Sequence, residues 1–151
     1  MRCAPRGVRG TVVRIVLDTN VVLSALLWRG TPYRLLYAVR QQEQVELFTS
    51  IALLEELAEV LLRPTAAKRL ASIGRAPREV LADFVDAATL VTPLTVPAVI
   101  AADPDDDQVI AAAVTAAADL IVSGDRHLLA LGTHGTIRIV TPAEALVRIG
   151  G

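Results

Sequence analysis

Sulfur chemistry is nearly absent from this chain, which has one cysteine, Cys3, and one methionine in 151 residues. A lone cysteine excludes an intramolecular disulfide and a thiolate zinc centre, and it suits a reducing cytoplasm, where we expect the protein to work. Aromatic residues are also scarce, at 3%. Trp28, Tyr33 and Tyr37 fall near one predicted helix and its approach, which fits packing or an interface better than a base-stacking platform. There is no P-loop, no GxSxG, no dinucleotide fingerprint and no zinc-ligand spacing, so several common enzyme chemistries drop out. No apolar run approaches the roughly 18 to 20 residues of a membrane span, and no membrane partner is expected.

Charge is nearly balanced, with 15 Lys and Arg against 16 Asp and Glu, a formal net charge of -1 and a pI near 6.1. That balance excludes a protein that coats nucleic acid by bulk electrostatics. It is compatible with a local basic rim, because clustered acids would cancel the rim in the total. Arg29, Arg34, Arg126 and the pair Lys68-Arg69 are the candidates for tracking a nucleic-acid backbone, against the plainer reading of solvated surface charge. Residues 1–10, MRCAPRGVRG, hold three arginines but lack the apolar core of a secretory signal. Residues 1–11 are expected to be a disordered basic tail and 12–151 a single domain.

What is abundant is apolar side chain, 53% of the chain at a mean hydropathy of +0.50, ample for a core at this length. Val12 to Leu17 is an apolar, β-branched run broken only by Arg14, as expected of a strand buried on both faces. After a loop around Gly30, Thr31-Pro32 opens a predicted helix to about Gln42. A strand over Val45 to Thr49 follows, then a helix capped by Ser50, with Leu53, Leu54, Leu57, Ala58 and Leu61 as its stripe, stopped at Pro64. One or two helices occupy 65–89, with Pro77 at a start and Val80, Leu81, Phe84 and Val85 facing inward. Pro93 restricts Leu90 to Val96 to an edge strand or connector.

Asp103-Pro104 opens an alanine-rich helix reaching Ala118. Strands over Leu120 to Ser123 and Ile137 to Val140, a short helix over His127 to Leu131 and a final helix begun by Thr141-Pro142 complete the chain. Strands alternating with helices imply an α/β fold with a parallel doubly wound sheet. Right-handed crossovers place the ends of the first strand and of the Leu120 strand on one side of it, and the two become neighbours if they flank the switch point.

Four acidic stations lie at such strand ends or in first helical turns: Asp18 in IVLDTN, Glu55 and Glu56 in LLEEL, Asp103 to Asp107 in DPDDDQ, and Asp125 in VSGD. Convergent carboxylates without Cys or His are hard oxygen donors, which points to Mg²⁺ or Mn²⁺. Each station also has a plain structural reading, as a turn aspartate, a solvated glutamate or a helix cap. Helix rotation of about 100° per residue puts Glu55 and Glu56 on opposite flanks of the apolar stripe and does not choose between them. In the acidic run Asp103 is the expected cap and Asp105 points outward. Asp106 and Asp107 align with the inward residues Val109, Ile110, Ala111, Ala113 and Val114, and Asp107 is favoured over Asp106. His127 reads as structural or solvated, and His134 as part of a glycine-containing loop with nothing to orient it.

The ordered segments IVLDTNVVLSALL, TSIALLEELAEVLL, DPDDDQVIAAAV and LIVSGDRHLLAL resemble the PIN-domain family, and particularly the ribonuclease toxins of bacterial VapBC-type toxin–antitoxin systems, from about residue 13 to 147. The resemblance implies a three-layer α/β/α sandwich with a central, mainly parallel twisted sheet. It implies catalytic and metal-holding roles for Asp18, Glu56, Asp107 and Asp125, choosing Glu56 where helix geometry could not, with Asn20 and Ser123 as supporting polar residues. Glu55, Asp106 and Arg126 stand behind them. It further implies Mg²⁺- or Mn²⁺-dependent hydrolysis of RNA phosphodiesters to a 5′-phosphate and a 3′-hydroxyl, a protein antitoxin as partner, and a homodimer. Two other readings are weighed: a non-catalytic module of the same fold that binds RNA or assembles, and a flavodoxin-like receiver domain, which the lack of a well-placed late lysine disfavours.

Overall fold

The computed structural model describes residues 12–94 and 104–150. Among these, six strands form one sheet in the order β3-β2-β1-β4-β6-β5. They are β1 (Val13–Leu17), β2 (Val45–Ser50), β3 (Thr89–Val91), β4 (Leu120–Val122), β5 (Thr133–His134) and β6 (Ile137–Val140). All neighbours pair in parallel except β5, which runs antiparallel to β6. The tail over 1–11, the Asp103 cap and the orientation of Asp105 lie outside the described residues.

Helices cover both faces and make the three-layer α/β/α sandwich. Successive β1 side chains point to opposite sides. Ile15 and Leu17 join the core formed with α1 (Thr19–Leu27), α2 (Thr31–Gln41), α3 (Ile51–Val60), α4 (Pro64–Ile73), α5 (Pro77–Ala87) and α8 (Pro142–Ile149). Val16 instead joins Ile121 and Ile139 against α6 (Pro104–Thr115) and α7 (Arg126–Leu131). The one charge inside the first strand is fully employed: Arg14 Nε donates to the Ala116 carbonyl at 2.8 Å, and its guanidinium lies 4.7 Å from the Phe48 ring and 3.3 Å from Glu46 Oε1.

Caps predicted from sequence form as expected at two helices. Ser50 Oγ accepts from the Leu53 amide at 3.3 Å. Thr141 and Glu144 exchange bonds in a capping box, which holds the Glu144 carboxyl below its ordinary value chiefly through the Thr141 amide. Three features depart from expectation. Residues 19–27, to which periodicity assigns no element, form α1; five of its nine residues are buried, so the helix is apolar nearly all round and shows little amphipathic signal. Thr133-His134, read as loop, pairs with β6 across a turn at Gly135, whose φ is +62°. Val114 and Val85, expected inside, are 50% and 45% exposed, because Ala112, Ala113 and Ala116, and on α5 Val80 and Phe84, take the buried positions.

The end of α6 carries local strain. Ala117 has φ +53°, the left-handed conformation, while the Ala118 amide bonds the Ala113 carbonyl and the Ala117 amide the Val114 carbonyl. This is the Schellman pattern, in which glycine avoids the penalty of a Cβ. Ala117→Gly is expected to raise stability by about 0.5–1 kcal/mol, seen as roughly 2–4 °C in thermal melting.

Candidate active site

The sheet order reverses between β1 and β4, so the ends of these adjacent parallel strands open into a crevice. Leu17 pairs with Val122, and the Asp18 amide continues the ladder to the Val122 carbonyl at 2.9 Å. Asp18 then occupies the cap position of α1, with its carbonyl accepting from the Val21 and Val22 amides, but its side chain makes no capping bond. The carboxylate is instead 6% exposed, and its Oδ2 accepts from Ser123 Oγ at 2.7 Å.

Ser123, fully buried at the end of β4, works in both directions. Its hydroxyl donates to Asp18 and accepts from the Asp125 amide at 2.9 Å. One side chain therefore ties the first strand-end acid to the loop carrying the second. Asp125 caps α7, accepting at Oδ1 from the His127 amide at 2.7 Å, and its side chain is 20% exposed. Ser123→Ala removes both bonds, and any reaction that depends on the orientation of Asp18 is expected to slow by about 10–100-fold in the variant.

Glu56 approaches from α3. Its Oε1 accepts from Thr19 Oγ1 at 2.7 Å, and Thr19 is buried beside Asp18. Glu55, one residue earlier on the helix, is exposed. Asp106 and Asp107 lie in the first turns of α6 at 3% and 7% exposure, both turned inward. Asn20 on α1 and Arg126 on α7 are exposed. Single donor atoms of Asp106, Asp125 and His127 all lie within 4.8 Å of one another, a spacing one cation can bridge. That group takes in Asp106, while Asp18, Glu56 and Asp107 stand outside it among the described residues. Three acids at or below 7% exposure sit at one edge of the sheet. Such burial is costly without compensating charge, and the oxygen-rich donor set suits a hard divalent cation. His127 is the donor that residue-type reasoning set aside; its signal was its place two residues after a capping acid.

A second feature lies at the far end of α1. A groove of about 390 Å³ is lined by Arg29, Arg40, Arg69 and Arg75 against the single carboxylate of Asp83, with Trp28, Tyr33 and Tyr37 among its apolar walls. The Arg29 guanidinium stacks 4.6 Å from the Tyr33 ring, and Arg69 Nε donates to the Leu27 carbonyl at 2.7 Å, closing the helix end.

A crevice at the switch point of a parallel sheet, walled by carboxylates from separate elements, defines the acidic-site class of α/β proteins. A PIN domain model matches residues 14–127, and the chain belongs to the PIN-domain family, whose fold is that of nucleases. It is also 30% identical to an uncharacterized protein of Methanocaldococcus jannaschii over 120 residues, 79% of this chain and 75% of that protein. PIN nucleases act on nucleic acid and typically use divalent metals. No helix among the described residues is long and apolar enough to cross a membrane.

Proposed function

We propose that this protein is a Mg²⁺- or Mn²⁺-dependent endoribonuclease. The observation that carries the reading is the single Ser123 hydroxyl that joins Asp18 to the Asp125 loop, 2.7 Å to one and 2.9 Å to the other, beside the Asp106–Asp125 pairing. Asp18, Asp125 and Glu56, with Asp106 or Asp107 from α6, would hold the cation. When bound, such an ion lowers the pKa of water and offsets charge on the phosphorane-like transition state. The protein's own part is positional. Ser123 fixes the Asp18 rotamer, Thr19 fixes Glu56, and the exposed residues Asn20 and Arg126, which directly follow Thr19 and Asp125 in the chain, would meet an entering phosphate. Hydrolysis leaves a 5′-phosphate and a 3′-hydroxyl.

The domain spans 12–151 and works in the cytoplasm as the toxin of a toxin–antitoxin pair and as a homodimer. The arginine-rich groove supports a small protein partner: Arg75 is already paired with Asp83 and Glu79, while Arg29, Arg40 and Arg69 beside the apolar walls favour an acidic segment with an apolar anchor. The test is incubation of purified protein with structured RNA and Mg²⁺ or Mn²⁺, with Asp18→Asn and Asp125→Asn as controls. Cleavage surviving both substitutions rejects the site, and RNA binding without cleavage favours the non-catalytic module. Co-expression with the product of the adjacent reading frame tests the partner, and sedimentation tests the dimer.

A further inference from the structure

His127 is the residue whose placement the reading above leaves unused. The capping of α7 needs only its main chain: the His127 amide donates to Asp125 Oδ1 at 2.7 Å. The imidazole takes no part in that bond, yet its Nδ1 lies 3.6 Å from the same oxygen. The next residue, Leu128, is fully buried and anchors the helix, so Asp125 and His127 are presented together from one fixed turn. Across from them, buried Asp106 comes from a different element, α6, and completes a set whose donor atoms lie within 4.8 Å of one another. Two oxygens and one nitrogen are a different donor chemistry from the all-carboxylate nest that motif reasoning expects.

We propose that His127 is a direct ligand of the divalent ion held by Asp106 and Asp125, and that this nitrogen biases the site toward first-row transition ions over Mg²⁺. The inference rests on the metal-site reading of the crevice and goes beyond it by assigning a ligand and a selectivity. Mg²⁺ takes oxygen ligands in near-ideal octahedral geometry and dehydrates reluctantly, so an imidazole adds little to its binding. Co²⁺ and Ni²⁺ stand higher in the affinity order and accept imidazole readily; Mn²⁺ stands lowest of the transition ions and gains least. The imidazole is 56% accessible and already offers a ring nitrogen within 4.8 Å of an oxygen of each acid, so it can reach the ion at no cost to the core.

The variant His127→Ala keeps the capping bond, because the main-chain amide donates it, so the position of Asp125 is preserved while the nitrogen is lost. Two measurements test the assignment. In the first, calorimetric titration of the full chain with Co²⁺ and with Mg²⁺ is compared between wild type and variant. Co²⁺ affinity is expected to fall by about tenfold or more and Mg²⁺ affinity to stay within roughly threefold. In the second, electron spin-echo envelope modulation of the Mn²⁺-loaded protein is expected to show an imidazole ¹⁴N signal that His127→Ala removes. Equal losses for both cations, or no nitrogen modulation in protein that has bound Mn²⁺, overturns the ligand assignment and leaves the carboxylate site standing. If wild type binds none of the three ions, the metal-site reading falls and this assignment falls with it. Unchanged thermal melting of the metal-free variant shows that the comparison is between folded proteins.

Discussion

Asp18→Asn is expected to lower RNA cleavage at saturating Mg²⁺ or Mn²⁺ by about a thousandfold, or roughly 4 kcal/mol of transition-state stabilisation. Asparagine has the shape of aspartate and still offers an oxygen to the Ser123 hydroxyl, so the buried hydrogen bond survives at a position that is 6% exposed. What is lost is the formal charge, and charge is what a hard cation and a developing phosphorane require from this edge of the sheet. The metal-free variant should melt no lower than wild type, because one of several neighbouring buried carboxylates has been neutralised. A second readout separates loss of the ion from loss of chemistry. An ion that binds only the native state at 100 times its Kd contributes about 2.7 kcal/mol, a rise of roughly 5–10 °C in melting temperature for a chain of this length. Wild type should show that rise and Asp18→Asn should show much less of it. Cleavage within about tenfold of wild type, with an undiminished metal-induced rise, would remove Asp18 from the proposed site.

The contrast between this substitution and Ser123→Ala shows how the crevice is layered. Asp18 offers charge, while Ser123 offers orientation, and orientation is worth the smaller factor because Asp18 without the Ser123 hydroxyl still samples the productive rotamer. Sequence could indicate both residues because each follows a short strand whose last three residues are buried, and strand ends in parallel sheets are where side chains leave the core. It could not establish that the two strands are neighbours. Pairing of β1 with β4 joins segments more than a hundred residues apart and depends on crossover direction and on which helices cover which face, none of which is local.

Finer choices fail in sequence for another reason. Glu55 and Glu56 flank the same apolar stripe, and only the arrival of α1, with Thr19 at its first position, gives Glu56 a partner and leaves Glu55 exposed. The helix that brings Thr19 is also the one that periodicity overlooks, since burial on nearly all sides erases the amphipathic pattern. Asp106 and Asp107 illustrate the limit in the opposite sense. Both are inward and nearly inaccessible, so facing the sheet does not discriminate between them, whereas proximity to Asp125 and His127 distinguishes Asp106.

Ile121→Ala is expected to cost about 2–5 kcal/mol, the largest loss of stability among the substitutions considered, and to lower the melting temperature by roughly 6–15 °C. Ile121 is fully buried on β4, paired with Val16 and Ile139 and enclosed by Val109, Ile110 and Leu128. Its neighbours on α6 include several alanines, short side chains that cannot extend into the cavity, so little of the loss is recovered by collapse. Leu62→Ala, at a leucine that is 71% exposed, should change stability by no more than about 0.5 kcal/mol and serves as the control. Because β4 leads directly into Ser123 and Asp125, the core defect lies on the strand that supports the crevice. Metal linkage then makes a sharper prediction. If the ion binds only the native state, saturating it should restore about 2.7 kcal/mol to Ile121→Ala just as it adds that amount to wild type, whereas the Asp18→Asn/Ile121→Ala double variant should regain much less. A metal effect of equal size in the double variant would place the ion elsewhere on the molecule, since a core defect and a ligand defect can be separated only if the ion reports on the crevice that β4 supports.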